Sequence, residues 1–168
     1  MDVRFINPFM ASIKNVFTTM LGTDIIISKP RLKERDESRA EVSAIIGFSG
    51  DVVGSAALCF SMKTAAKTAS KFAGEELGRD HSCFADALGE LANMVAGHAK
   101  SKFQGVNASI SLPRVIVGRD MELLESESTP VLVLPCDSGL GRFTAEVMMA
   151  MAKKEAPSSS GVTASANT

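Results

Sequence analysis

Residues 40–60, AEVSAIIGFSGDVVGSAALCF, decide the fold class. Two runs rich in β-branched and small apolar residues flank Ser49, Gly50 and Asp51, and glycine tolerates the positive φ that a short hairpin turn requires. The stretch therefore predicts two antiparallel strands joined by a tight turn. Working outward, SMKTAAKTASKFAGEELG at 61–78 is rich in Ala and Lys, offers Ser61 or Thr64 as a cap, and predicts a helix ending near Gly78. A second helix follows in FADALGELANMVAGHAK, residues 84–100. Upstream, DIIISK at 24–29 predicts a short strand that Pro30 keeps out of a sheet centre, and PRLKERDESR at 30–39 predicts a charged link. Phe5, Phe9, Ile13, Val16, Phe17 and Met20 recur at helical spacing over 5–21, with Gly22 as a stop.

Past residue 107 strand patterns return. ASISLPRVIVG contains Pro113, which implies an edge position or a break. A charged loop, RDMELLESES, precedes TPVLVLP, and GRFTAEVMMAM fits either a strand or a helix. The order is helix, three strands, two helices, three strands. Consecutive strands lie too close for helical crossovers, so the expected class is α/β of the mixed kind, a hairpin-rich sheet packed against helices. Residues 1–152 form one expected domain. The last residues, 153–168, carry almost no bulky apolar side chain and are expected to be a disordered tail.

With 168 residues and 45% hydrophobic content, the chain can fill a single core. Eighteen Lys plus Arg against nineteen Asp plus Glu leave a net charge of -1, which supplies no footprint for nucleic acid or an anionic membrane. Cys59, Cys83 and Cys136 form neither a C-x-x-C pair nor a zinc-spaced cluster with His81 and His98, so no metal of the protein's own is expected and a reducing cytoplasm fits. Asn7, Pro8, Lys14 and Asn15 break the apolar character of the N-terminal segment, which reads as neither a signal peptide nor a membrane span.

The helix over 84–100 carries the chemistry. At about 100° per residue, Phe84, Leu88, Leu91, Val95 and Ala99 share a stripe of roughly 80°, the width of a core-facing seam. Asp86, Glu90, Asn93, Gly97 and Lys100 fall on the opposite side. A solvated face explains such a stripe in most helices. Asn93 and Gly97, however, are poor choices for helix stability alone, and Gly97 removes bulk where another surface could approach.

ELANMVAG, within the opening RFINPFMASIKNVFTTMLG, the GFSGDVVGSAALCF hairpin and this element order, resembles the CheC/CheX-like family of chemotaxis phosphatases, in its CheX branch with a single E-x-x-N motif. The resemblance covers residues 1–152. It implies a CheC-like fold, a partner in the phosphorylated receiver domain of a response regulator, and hydrolysis of that receiver's aspartyl phosphate. Carried over by residue, Asn93 would orient the attacking water and Glu90 would pair with the receiver's active-site Lys. Asp86 and Lys100 share that face and, with Gly97, are candidate contacts with the partner, a solvated charge being the alternative for Asp86 and Lys100. The resemblance further implies that magnesium belongs to the receiver and that the protein forms a homodimer. Some relatives carry the motif on two helices. Here Ser12, Ile13, Lys14 and Asn15 stand at the corresponding place in the first helix, without the acid. A non-catalytic receiver-binding or scaffold module is the alternative that the same resemblance allows.

A second phosphatase signature is present. Cys136, Gly139 and Arg142 have the C-x-x-G-x-x-R spacing of a phosphate loop with a thiolate nucleophile. Pro135 replaces the usual His before the Cys and Phe143 the usual Ser or Thr after the Arg. The competing expectation is a hairpin turn at DSGLG, with Cys136 as a small apolar residue near a strand end.

Overall fold

The computed structural model describes residues 3–34, 37, 40–118 and 129–152. The expected tail at 153–168 and the charged loop at 119–128 lie outside the described residues.

Helix α1 spans Val3–Leu21 and ends as expected at Gly22, whose φ of 56° is left-handed. Strands β1 (Ile25–Ile27) and β2 (Arg31–Leu32) follow, then the hairpin β3 (Val42–Gly50) and β4 (Val52–Phe60). Helix α2 (Met62–Ala73) starts on Ser61, whose hydroxyl accepts the Thr64 N–H. It stops at Gly74 rather than near Gly78. Gly74 takes φ 74° and donates its N–H to the Ser70 carbonyl, a left-handed cap that ends the helical hydrogen bonding there. Helix α3 is Phe84–Lys100, and β5 (Ala108–Ile110), β6 (Arg114–Val117), β7 (Leu132–Ser138) and β8 (Gly141–Met151) complete the chain. The final segment is thus a strand, not a helix.

All pairings are antiparallel, in the order β1–β7–β8–β4–β3–β5, with β2 also on β7 and β6 also on β3. Each edge is one strand interrupted at a proline, and counting each interrupted strand once recovers the expected order. The charged link therefore contributes Arg31 and Leu32 to the sheet, a short pairing that its composition hides. The two edges repeat a sequence: Ile27-Ser28-Lys29-Pro30-Arg31-Leu32 and Ile110-Ser111-Leu112-Pro113-Arg114-Val115. The same hydrogen bond holds both kinks, since Ser28 N–H donates to Pro135 O and Ser111 N–H to Gly47 O, each at 2.9 Å. The fold is thus two α-β-β-β halves, led by α1 and by α3 with α2 as the link between them, joined at the β4–β8 pair, each giving its edge strand to the other half's sheet.

The three helices pack together on one sheet face, that of Val42, Ala44, Ile46 and Phe48 on β3 and Phe143, Ala145, Val147 and Met149 on β8. Phe17 of α1 stacks on Phe143 with centroids 4.9 Å apart, and Phe9 meets Phe48 edge-on at 5.7 Å. Such aromatic pairs add about 0.5–1.5 kcal/mol each beyond the area they bury. The helix layer is fixed to the sheet at both ends of α1.

Candidate functional site

Phe84, Leu88, Leu91, Val95 and Ala99 are all buried, joined by Ala87, Gly89, Ala92 and Ala96, so the predicted seam of α3 is its packed face. Burying each large apolar side chain is worth about 1.5–3 kcal/mol, ample to fix the rotation of the helix about its axis. That rotation aims the other stripe outward. Asp86 and Glu90 are exposed, and Asn93, Gly97 and Lys100 are partly exposed. Glu90 and Asn93, three residues apart, have β-carbons about 5–6 Å from each other. Neither side chain has a hydrogen-bond or ion-pair partner among the described residues, leaving the carboxylate and the amide open to another molecule.

Both stand on the outer side of the helix cylinder, which projects as a ridge. Two open grooves of about 760 and 750 Å³ lie elsewhere, one beside the α2 C-terminus and one on the far sheet face, and neither is lined by Glu90 or Asn93. A convex ridge cannot enclose a small substrate, as the usual concave enzyme pocket does. It can enter a cleft on another protein.

Gly97 and Gly89 show what flanks the ridge. A β-carbon at Gly97 would meet only Ile110 Cδ1, at 3.9 Å, which agrees with an approachable surface there. A β-carbon at Gly89 would sit 3.3 Å from Pro113 Cβ and 3.4 Å from Val115 Cγ2. The kinked edge β5/β6 therefore runs beside α3 over the segment that holds Glu90 and Asn93. Spacing within the helix carries no trace of this neighbour. The repeated Ile-Ser-x-Pro-Arg was the signal that could have shown it.

The first helix lacks both functional groups. Matching the buried phase of α1 (Phe5, Phe9, Ser12, Ile13, Val16, Phe17) to that of α3 (Phe84, Leu88, Leu91, Ala92, Val95, Ala96) places Ala11 at the position of Glu90 and Lys14 at that of Asn93. Ser12, expected at the acid's place, is instead fully buried and donates to the Pro8 carbonyl at 2.6 Å. Asn15 falls one residue out of phase with Asn93.

The cysteine signature is not a site. Cys136 lies within β7 opposite Phe143, faces the core, and donates to the Leu134 carbonyl at 3.2 Å. Burial pushes its thiol up to about 12, the opposite of what a thiolate nucleophile needs. Arg142 pairs with Asp137 on the other face of the hairpin, Nε to Oδ2 at 3.2 Å. The two-residue turn at Gly139 and Leu140 makes strand alternation, not a phosphate loop, of that spacing. Among the described residues no three His, Cys, Asp or Glu side chains come together to hold a metal ion. No helix among them is long and apolar enough to cross a membrane.

Fold and site define a class: a mixed α/β domain that displays an acid and an amide on the exposed ridge of one firmly packed helix. The family model for the chemotaxis phosphatase CheX matches residues 42–137, more than half of the chain, and the protein belongs to that family. The CheC-like superfamily protein from Shewanella sp. PV-4 is similar over 89% of this chain and 99% of its own, with 29% identity and a TM-score of 0.79. The chemotaxis protein CheX from Desulfovibrio desulfuricans covers 88% of this chain and 99% of its own at 27% identity and a TM-score of 0.78. CheX in a CheX–CheY–BeF3–Mg2+ complex from Borrelia burgdorferi covers 89% and 98%, at 27% identity and a TM-score of 0.72. No curated protein sequence matches significantly.

Proposed function

We propose that this protein hydrolyses the aspartyl phosphate of a CheY-like receiver domain, using Glu90 and Asn93. The observation that carries the proposal is the outward, unpartnered acid and amide on a convex helix whose opposite face is locked in the core. The Borrelia relative was found with CheY, BeF3 and Mg2+, and BeF3 has the shape and charge of a phosphoryl group, which supports a receiver as partner and magnesium as the receiver's own ion.

An acyl phosphate is already activated, and its loose transition state asks for positioning and charge neutralisation more than for a strong base. The α3 ridge enters the receiver's site. The Asn93 carbonyl oxygen accepts a hydrogen from a water molecule and holds its oxygen in line with phosphorus. The Glu90 carboxylate accepts from the receiver's lysine and keeps that ammonium in place. The water oxygen bonds to phosphorus as the bond to the aspartyl oxygen breaks, leaving a free carboxylate and inorganic phosphate, which takes up the water's proton. Asp86, Gly97 and Lys100 line the path of approach along the same ridge. The functional unit is the domain of residues 1–152, acting in the cytoplasm as a homodimer, with the tail outside it.

The test is the decay of a phosphorylated receiver with and without the protein. Wild type should accelerate decay, and Asn93→Ala should reduce that acceleration by about a hundredfold, the effect expected when a reacting group loses its positioning. Undiminished acceleration by Asn93→Ala would remove Asn93 from the reaction, and binding of a BeF3-loaded receiver by the wild type without any change in phosphate lifetime would show a docking module instead.

A further inference from the structure

Leu112 is 88% exposed, more than any other large hydrophobic side chain among the described residues. It stands at the kink between β5 and β6, and the kink is firmly held. Ser111 N–H donates to Gly47 O and Gly47 N–H donates to Ser111 Oγ, both at 2.9 Å. Pro113 is wedged against α3 at Gly89. An exposed leucine on a rigid kink has lost its backbone freedom already, so a partner that covers it gains apolar burial at little further ordering cost.

Its position is specific. Ile110 lies beside Gly97 and Pro113 beside Gly89, so Leu112, between them in sequence, runs level with the α3 segment that carries Glu90 and Asn93. The two halves of the fold provide an internal comparison. In the half whose helix has Ala11 and Lys14 in place of the acid and amide, the kink residue matching Leu112 is Lys29, exposed like it. The apolar tip occurs beside the helix that has the acid and amide, and a charge replaces it beside the helix that lacks them.

We propose that Leu112, on the proline kink of the β5/β6 edge, is the apolar anchor on which the phosphorylated receiver seats, burying the leucine in an apolar patch next to its aspartyl phosphate. The anchor rests on the proposed phosphatase function and deepens it. Leu112 touches no reacting atom. It sets the register in which the α3 ridge enters the partner's site, as a buried apolar anchor next to polar groups does at the centre of an interface.

The experiment measures steady-state dephosphorylation of a receiver over a range of receiver concentration, with light scattering to fix the oligomeric state of each variant. Leu112→Ser and Leu112→Lys, the latter installing the residue of the other half, should raise KM about tenfold or more while kcat falls far less, as loss of a buried apolar anchor requires. Leu112→Met should restore most of the affinity. Leu32→Ser, a change at an exposed leucine on the opposite edge, should leave both constants as in wild type. An unaltered KM in Leu112→Ser and Leu112→Lys, with an active wild type, overturns the anchor and leaves the phosphatase function standing. Loss of the dimer in these variants also overturns it, by assigning Leu112 to a contact between copies. Inactivity of the wild type overturns the phosphatase function itself.

Discussion

Gly97→Ala should stabilise the protein and impair it at once. Replacing Gly by Ala in a helix interior gains about 1 kcal/mol. At Gly97 nothing offsets the gain, because the new methyl meets only Ile110 Cδ1 at 3.9 Å, an ordinary contact. The melting temperature should rise by about 2–4 °C for a chain of this length. The same methyl stands on the ridge, where it holds the partner off by a fraction of its radius, and misplacement of reacting groups on that scale costs at least tenfold in rate. Gly89→Ala is the control on the same helix. Its β-carbon would lie 3.3 Å from Pro113 Cβ and 3.4 Å from Pro113 Cγ and Val115 Cγ2. Overpacking of this kind costs about 1–3 kcal/mol, which cancels or exceeds the helical gain. Thermal denaturation of both variants, paired with receiver-phosphate decay, separates the two effects. A lower melting temperature for Gly97→Ala would refute the packing argument, and wild-type decay rates with Gly97→Ala would remove Gly97 from the path of approach.

Other outcomes follow from the same contacts. Gly54→Ala should destabilise by about 4 kcal/mol or more, since φ is 148° and the β-carbon would fall 1.9 Å from the Met148 carbonyl oxygen of the neighbouring strand; urea denaturation would show it as a loss of most of the transition midpoint. Ser61→Ala should cost about 1 kcal/mol by the same method, through loss of the bond from the Thr64 N–H. Native protein at mildly alkaline pH should be alkylated first at exposed Cys83, with Cys59 and Cys136 reacting only on unfolding, as mass spectrometry can count. Burial holds the Cys59 and Cys136 thiols up at about 12, so the folded state binds their protons more tightly than the unfolded chain. The resulting stability is present below about pH 8.5 and is lost as pH rises toward 12, by up to about 1.4 kcal/mol per pH unit for each thiol. Cys136→Ala should flatten that decline and retain phosphatase activity; a steep loss of activity would restore the cysteine to the mechanism.

The amphipathic division of α3 was legible from residues 84–100 because a helix repeats every few residues and its two faces follow from spacing alone. The hairpin over 42–60 was legible for a similar reason: Gly50 and its neighbours set a local turn, and the strands then pair with each other. Pro30 and Pro113 likewise announced edges, since a missing N–H disqualifies a residue from a sheet centre. Signals of this kind reach only a few residues. The end of α2 at Gly74 instead of Gly78 turned on which of two glycines took the left-handed conformation, and Gly74 had its acceptor, Ser70 O, in place.

Longer-range facts belonged to the tertiary structure. The spacing of Cys136 and Arg142 suits a loop and a hairpin equally, and only pairing with β8 turned one side chain to the core and the other to solvent. The exchange of edge strands between halves depends on register across the whole sheet, so no segment of the chain contains it. That exchange brings Leu112 and Pro113 alongside Glu90 and Asn93. By itself the sequence determined which face of α3 would be polar. Tertiary packing decided that this face would be a convex ridge bordered by a rigid proline kink, because helix rotation and strand pairing are settled by contacts between residues far apart in the chain.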